Sequence, residues 1–505
     1  MKTYTNYING EFVAAQAGET FESTNPYDQT VIGQFARSRQ ADVDAAVAAA
    51  RRAFDKGPWS ETSPKARSNY LTAIAEGILK RSKELVDAEV ADSGSTLSKA
   101  QTDVAMTVKQ FKYVAKLCLH SFEKQLDGLS KPGYHHNKIV YEAVGVCAQI
   151  IPWNFPLLMA AWKLAPAIAA GCTVILKPAE ETPHTAMILA EIIQEAQLPA
   201  GVINMITGMG LEAGAPLVVH PDVDKVAFTG STEIGRDIMA KAANSFKRVT
   251  LECGGKSANI VLEDADWDYT LDGVLFSIFY HAGQCCTAGS RLLLPKSKAT
   301  EWIADIQTRV GDIQVDDPKK ASTALGPLVS KKQHERILAY IQKGLDEGAT
   351  LLCGGHPLTG KNFEKGYFVE PTVFTNVTPS MTIAQEEIFG PVLCILTYDT
   401  VEEAIEMAND SIYGLAAGIW SKDTSRGETI ARKIRAGTIW INDYHLTTEK
   451  APFGGFKQSG LGRELGPDCL HEYLEPKHIH TDEMACREKK VWYDSILKPK
   501  SLVKT

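Results

Sequence analysis

The sequence predicts an α/β fold built on parallel β-sheets, and three observations carry that reading. From Val144 to Glu252, short apolar runs read as strands and alternate with longer runs that read as helices, the pattern of βαβ crossovers. A second alternating region follows, from about Ala258 to Asn442. The length, 505 residues, is too great for one ordinary core and implies two or three domains.

Along the chain, Tyr7-Ile8, the turn pair Asn9-Gly10 and Glu11-Phe12-Val13 read as a hairpin. Helical spacing runs from Val43 to Phe54, and a longer helical zone spans about Ser63 to Cys118, interrupted near Ser93-Gly94-Ser95. The polar stretch Gly128 to Tyr141 has no period and reads as an arm or a connecting ribbon. Val144 to Ile151 is a strand, and Pro156 to Ala170 a helix stopped by Gly171. Strands at Cys172 to Leu176, Val202 to Ile206, Lys225 to Phe228 and Val249 to Glu252 then alternate with helices at Thr185 to Gln197, Leu211 to His220 and Ser231 to Ala243. Such sheets bind ligands at the carboxyl ends of their strands, so the residues following each strand are the first candidates for function. The tail, Lys489 to Thr505, is basic in places and reads as surface.

Composition excludes several classes. Hydrophobic residues are 44% and charged residues 23%, which argues against disorder or coiled coil for the whole chain. Lys plus Arg is 53 against Asp plus Glu 61, so the basic excess of a nucleic-acid surface is missing. The most apolar stretch, Val144 to Ala170, is broken by Pro152, Asn154, Pro156, Lys163 and Pro166, whereas a membrane helix needs roughly 20 clean apolar residues. Met1 to Phe12 has no apolar run of the kind a secretory signal carries. The ten cysteines are scattered and contain no C-x-x-C pair, which argues against a disulfide framework or a structural zinc site. The expectation is a cytoplasmic chain with reduced thiols, no metal, no nucleic-acid partner and no membrane.

Two turns join strand to helix through small residues: Thr207-Gly208-Met209-Gly210, with Gly214 beyond it, and Phe228-Thr229-Gly230-Ser231. Backbone N–H groups at such turns hold a pyrophosphate, or they are ordinary βα connections. Lys177-Pro178-Ala179-Glu180 follows a strand, where Lys can donate to ribose hydroxyls and Glu can accept from them while repelling a 2′-phosphate. Gly283-Gln284-Cys285-Cys286-Thr287 is a small-residue turn around two adjacent cysteines. A free thiol is only about 3% thiolate at pH 7, so a reactive one needs local help, for which a helix start is one source. Glu252 ends a strand 34 residues before Cys286, room for a crossover that returns the chain to the same edge with a carboxylate beside the thiol. Asn154 also follows a strand end and can donate to an oxyanion. His281, five residues before Cys286, suits either a core histidine or the partner of a cysteine hydrolase.

In this order and spacing the chain resembles the aldehyde dehydrogenase superfamily over nearly its whole length. The resemblance rests on Pro152-Trp153-Asn154-Phe155-Pro156, Lys177-Pro178-Ala179-Glu180, Phe228-Thr229-Gly230-Ser231-Thr232, Leu251-Glu252-Cys253-Gly254-Gly255-Lys256, Gly283-Gln284-Cys285-Cys286, Glu386-Glu387-Ile388-Phe389-Gly390-Pro391 and Gly460-Leu461-Gly462-Arg463-Glu464. It implies Cys286 rather than Cys285 as nucleophile, Glu252 as general base, Asn154 with the Cys286 N–H as oxyanion donors, and Glu464 as a second carboxylate linked to proton transfer. It implies an NAD site in which Lys177 and Glu180 meet the adenosine ribose and Glu387 and Phe389 meet the nicotinamide riboside. Ser231 with the helix it opens holds the pyrophosphate, and Ile151, Trp153, Gly210, Gly214, Phe228 and Gly230 complete the site. The fold implied is a Rossmann-like parallel-sheet cofactor domain (1–122 and 144–255), an α/β catalytic domain (256–458) and a bridging β-ribbon (123–143 and 470–488) that pairs subunits into a homodimer or homotetramer.

The activity implied is oxidation of a small-molecule aldehyde to a carboxylic acid through a cysteine thioester that Glu252-activated water hydrolyses. Coenzyme-A-acylating relatives typically lack the Glu at this place. Family positions lining the substrate tunnel read Phe155, Trp162, Tyr280 and Phe453 here. An all-aromatic set suits a cation–π box for a trimethylammonium or amino aldehyde, and it equally suits an apolar tunnel for aliphatic or aromatic aldehydes. Trp440-Ile441-Asn442-Asp443-Tyr444-His445 resembles a betaine aldehyde branch, whereas Tyr280 and Phe453 stand where that branch usually has Trp. The apolar tunnel is the favoured reading.

Overall fold

The structure is a computed structural model that describes residues 2–120, 122–126, 135–360, 362–483, 486–487 and 490–497. Much of the arm expected between Gly128 and Tyr141, and the end of the tail expected from Lys489 to Thr505, lie outside the described residues. The chain divides into two units: Met1–Leu119 with Val144–Tyr473, and His120–Ala143 with Leu474–Thr505.

The first unit opens with β1 (Thr3–Tyr4), the hairpin β2 (Asn6–Ile8) and β3 (Glu11–Val13), and the pair β4 (Thr20–Thr24) and β5 (Val31–Ala36). Four helices follow: α1 (Gln40–Lys56), α2 (Pro64–Lys80), α3 (Ser82–Ser93) and α4 (Leu97–Leu117). Gly94, with φ +70°, ends α3, and the Thr96 hydroxyl caps α4 by accepting from Lys99 N–H.

The second unit holds β6 (Glu123–Gln125), β7 (His135–Ala143) and, at the far end of the chain, a last strand, Leu474–Asp482. β7 lies between the other two, and all the pairing is antiparallel. The Asn137 amide oxygen takes hydrogen bonds from His478 and His480 across this ribbon, at 2.9 and 2.8 Å.

Returning to the first unit, β8 (Val146–Ile150), α5 (Pro156–Ala170), β9 (Thr173–Lys177), α6 (His184–Glu195), β10 (Ile203–Met205), α7 (Ala215–Val219), β11 (Lys225–Thr229), α8 (Thr232–Ala242) and β12 (Arg248–Glu252) run in the expected alternation. Their strands pair in parallel, with an apolar core that includes Val146, Ile175, Val226 and Leu251. The hairpin extends this sheet antiparallel at one edge, giving the order β3-β2-β10-β9-β8-β11-β12. The helix expected from Leu211 differs: a wide turn over Gly210–Gly214 precedes the short α7. Two glycines and Pro216 account for this, because they weaken the first turns.

The second sheet contains β13 (Ala258–Val261), β14 (Arg291–Pro295), β15 (Thr350–Cys353), β16 (Thr372–Thr375), β17 (Val392–Tyr398), β18 (Ala416–Trp420) and β19 (Thr438–Ile441), with α9 (Trp267–Phe279) between its first two strands. Its order is β15-β16-β17-β14-β13-β18-β19, parallel except at β15. After it, β20 (Gly460–Leu461) leaves this region and pairs antiparallel with β12, Glu252 opposite Gly460. A Cβ on residue 460 would stand 2.2 Å from the Leu251 carbonyl oxygen, so only glycine permits the approach.

Two expectations are corrected. Glu252 and Cys286 do not share a sheet edge: Glu252 ends β12 of the first sheet, and Cys286 precedes β14 of the second. Nor does Cys286 stand at a helix start. The chain leaves α9 through His281, Ala282 and Gly283, at φ +52°, +54° and +69°, and turns directly into β14. Three consecutive left-handed residues are a costly conformation, held here by the packing around them. A Cβ on Gly283 would also lie 2.1 Å from the Gly390 carbonyl oxygen. Gly283→Ala is therefore expected to destabilise the protein by about 2–4 kcal/mol in urea unfolding, above the cost of strain alone. An unchanged midpoint would contradict this backbone account.

Candidate active site

A cavity of about 810 Å³ opens where the carboxyl ends of β8, β11 and β12 face the turn before β14. Thirteen of the nineteen expected site residues line it. Asn154, Glu252, Cys286 and Glu464 meet there with Phe155, Trp162, Tyr280 and Phe453 at one end and Trp153, Gly230, Ser231, Glu387 and Phe389 at the other. Ile151, Lys177, Glu180, Gly210, Gly214 and Phe228 lie outside it.

Cys286 is half-buried and lines the cavity beside the buried Cys285. The two adjacent thiols are coupled, which drives their pKa values apart. Cys286 is held above the ordinary thiol value by that coupling, by burial and by the Glu387 and Glu252 carboxylates. Cys285 is held below it by the same coupling, with His445 and Thr287 adding to the shift despite burial. His445 Nε2 donates to the Ser277 carbonyl at 2.9 Å, which leaves Nδ1 to accept from the Thr287 hydroxyl at 3.0 Å. The Asn154 amide donates to the Gln284 carbonyl at 3.0 Å, which places it at the turn that carries both thiols.

Three carboxylates converge from separate segments. Both Glu252 oxygens are buried without a hydrogen-bond partner among the described residues. Burial and then the charge of Glu464 push the Glu252 carboxyl well above the usual range. Glu464 arrives because its backbone pairs with Phe453, N–H to O at 2.6 and 2.7 Å, just after β20 has joined β12. Its carboxylate binds the buried ammonium of Lys163, which also donates to Thr229 at 2.6 Å. Glu387 accepts from Gly255 N–H at 3.0 Å, and burial lifts its carboxyl to about 7.

The residues outside the cavity form a second group on the first sheet. Lys177 is the last residue of β9 rather than the first beyond it. Its ammonium reaches Glu180 at 3.2 Å, and Glu180 accepts from Gly210 N–H at 3.3 Å. Despite burial, the Lys177 charge holds Glu180 below the usual carboxylate range. Gly214 faces the Lys177 chain, Ile151 N–H donates to the Lys177 carbonyl, and Phe228 packs over Gly230. A donor and an acceptor side by side fit a vicinal diol, and the capped start of α8 at Ser231 fits phosphate groups nearer the thiols. This donor set could hold a dinucleotide such as NAD, with Lys177 and Glu180 available to a ribose and Glu387 and Phe389 available at the cavity. The rings of Trp153 and Phe389 meet edge-on there, at 5.2 Å between centroids.

A model described as "Aldehyde dehydrogenase family" matches residues 12–479. The chain belongs to the aldehyde dehydrogenase family. It is an enzyme that oxidises aldehydes to carboxylic acids. It is 46% identical over 474 residues to an aldehyde dehydrogenase of Davidiella tassiana, covering 94% of each chain. Among solved structures it is similar to the NAD+ complex of aldehyde dehydrogenase from Bacillus cereus, at 45% identity, TM-score 0.92, and 95% and 97% coverage. It is also similar to betaine aldehyde dehydrogenase from Staphylococcus aureus in complex with NAD+, at 41% identity, TM-score 0.93, and 95% and 94% coverage.

Sequence reasoning missed the buried cations. Lys163 and Lys99 both reach the site, and their signal was a lysine inside an otherwise apolar or helical run. Lys163 counters Glu464 within a fully buried helix, so Lys163→Met is expected to cost about 3–5 kcal/mol of stability by stranding that carboxylate. The double variant Lys163→Met/Glu464→Leu should recover most of the loss. Equal destabilisation of the single and double variants in thermal and urea melts would contradict the pairing.

Proposed function

We propose that this enzyme oxidises an uncharged aliphatic or aromatic aldehyde with NAD+, using Cys286 as nucleophile and Glu252 as the base for deacylation. The observation that carries the reading is the buried, unpartnered Glu252 carboxylate in the same cavity as the Cys286 thiol. The Cys286 sulfur, as thiolate, adds to the aldehyde carbon, and the oxyanion is met by the Asn154 amide and the Cys286 N–H. Bound NAD+ supplies the hydride acceptor, and a thioester on Cys286 remains. Glu252 takes a proton from water, the hydroxide adds to the thioester carbon, and the thiolate leaves as the carboxylic acid forms. Glu464 and Lys163 hold a charged relay behind Glu252. Glu180 favours NAD+ over the 2′-phosphorylated cofactor by charge.

The aromatic quartet supports an apolar tunnel: Trp162 meets Phe453 at 5.1 Å and Phe155 meets Tyr280 at 6.5 Å between centroids. A betaine aldehyde specificity is the second reading, supported by the similarity to the Staphylococcus aureus enzyme. A coenzyme-A-acylating activity is disfavoured by a Glu252 carboxylate in the same cavity as the thiol. The cofactor domain is assigned to 1–122 and 144–255, the catalytic domain to 256–458 and the subunit-pairing ribbon to 123–143 and 470–488. The exposed residues of the ribbon strand Leu474–Asp482 support a homodimer or homotetramer, and the proposed location is the cytoplasm. No helix among the described residues is long and apolar enough to cross a membrane.

Cys286→Ala should abolish NADH formation, whereas Cys285→Ala should retain much of it; equal losses would contradict the choice of nucleophile. Glu252 accepts a proton only when ionised, and its pKa is raised, so kcat should climb with pH above the ordinary carboxylate range. Glu252→Gln should lower kcat about 10²–10⁴-fold and remove that limb from steady-state profiles. A limb retained in the variant would assign the base to another group.

A further inference from the structure

The aldehyde end of the cavity contains a cation of its own. Lys99, in the first turn of α4, is fully buried yet lines the cavity. Its ammonium donates to the Asp103 carboxylate at 2.6 Å, the Ser95 hydroxyl at 3.1 Å and the Asn154 carbonyl at 3.0 Å. It also stands 4.0 Å from the centroid of the Phe155 ring. The Phe155 ring and the Asp103 carboxylate, two groups an incoming ammonium could seek, are therefore already engaged by a cation of the protein's own. One face of Phe155 holds a positive charge, and Asp103, the carboxylate that α4 brings to this wall, is neutralised.

We propose that Lys99 is a specificity-determining residue that restricts the tunnel to uncharged aldehydes by occupying the cation site with the protein's own ammonium. A substrate with a trimethylammonium group would bring a second positive charge against Lys99 in a desolvated space, and like charges so placed are costly. An alkyl or phenyl aldehyde meets the same aromatic surface without that repulsion. Lys99 is also a positioning residue, since its bond to the Asn154 carbonyl fixes the backbone that carries the oxyanion amide. The inference rests on the cavity's aromatic end being the aldehyde tunnel.

The test compares kcat/KM for hexanal and betaine aldehyde in the full-length enzyme and in Lys99→Met, Lys99→Arg and Asp103→Asn, with folding checked by thermal melts. The wild type should favour hexanal by about tenfold or more. Lys99→Met frees Asp103 and the Phe155 face, and the ratio should move about tenfold toward betaine aldehyde, while kcat on hexanal falls as Asn154 loses its anchor. Lys99→Arg should keep the wild-type ratio. Asp103→Asn leaves Lys99 unopposed and should move the ratio about tenfold further toward hexanal. A ratio unchanged in folded Lys99→Met, or a wild type that prefers betaine aldehyde, overturns the proposal. If Lys99→Met does not fold, Asp103→Asn decides, and an unchanged ratio there overturns it too. A wild type inert toward both aldehydes would instead remove the tunnel assignment, and the proposal with it.

Discussion

The site depends on one short piece of antiparallel pairing. Gly460 and Leu461 add to the edge of the first sheet at Glu252 and Leu251, and a few residues later Glu464 exchanges backbone hydrogen bonds with Phe453. A segment that has just left the second sheet is thereby tied to the last strand of the first. Glu252, Glu464 and Phe453 reach one cavity because of it, opposite a turn whose strand belongs to the other sheet. The constraint is steric as much as hydrogen-bonded, since the Leu251 carbonyl occupies the space of any side chain at position 460.

Charge burial follows from that geometry. Closing two sheet ends over a cavity removes water from three carboxylates, and their environments diverge. Glu464 has Lys163, Glu387 has the Gly255 N–H, and Glu252 has no hydrogen-bond partner among the described residues. An unpartnered buried carboxylate weakens folding, and its raised pKa suits the proton-accepting role proposed for Glu252. The vicinal thiols show the same logic. Both cysteines line the cavity, but Cys285 is buried and is engaged by Thr287 and His445, whereas Cys286 is the more exposed of the two.

Much of this was legible in the sequence. Alternating strands and helices located the first sheet, Gly171 marked the end of α5 to the residue, and the family motifs named the groups that meet in the cavity. What was not legible depended on tertiary packing. Residue spacing set Glu252 and Cys286 on one edge, whereas they face each other from two sheets. The turn at Cys286 offered small residues but not the run of left-handed backbone that delivers it. Lys163 stands out as a lysine in an apolar run and Lys99 sits in a helical one, but only the fold shows that each is buried against a carboxylate. Lys177 to Gly214 formed one group with the rest in the motif reading, whereas in the structure they lie on the first sheet outside the cavity lining.

The central claim is that Cys286 carries the acyl group and Glu252 directs its hydrolysis. Intact-protein and peptide mass spectrometry of Glu252→Gln, mixed with NAD+ and an aldehyde in a single turnover, tests it directly. The account predicts one acyl adduct, located on Cys286, that persists far longer than in the wild type. An adduct on Cys285, or rapid turnover with no adduct, would contradict it.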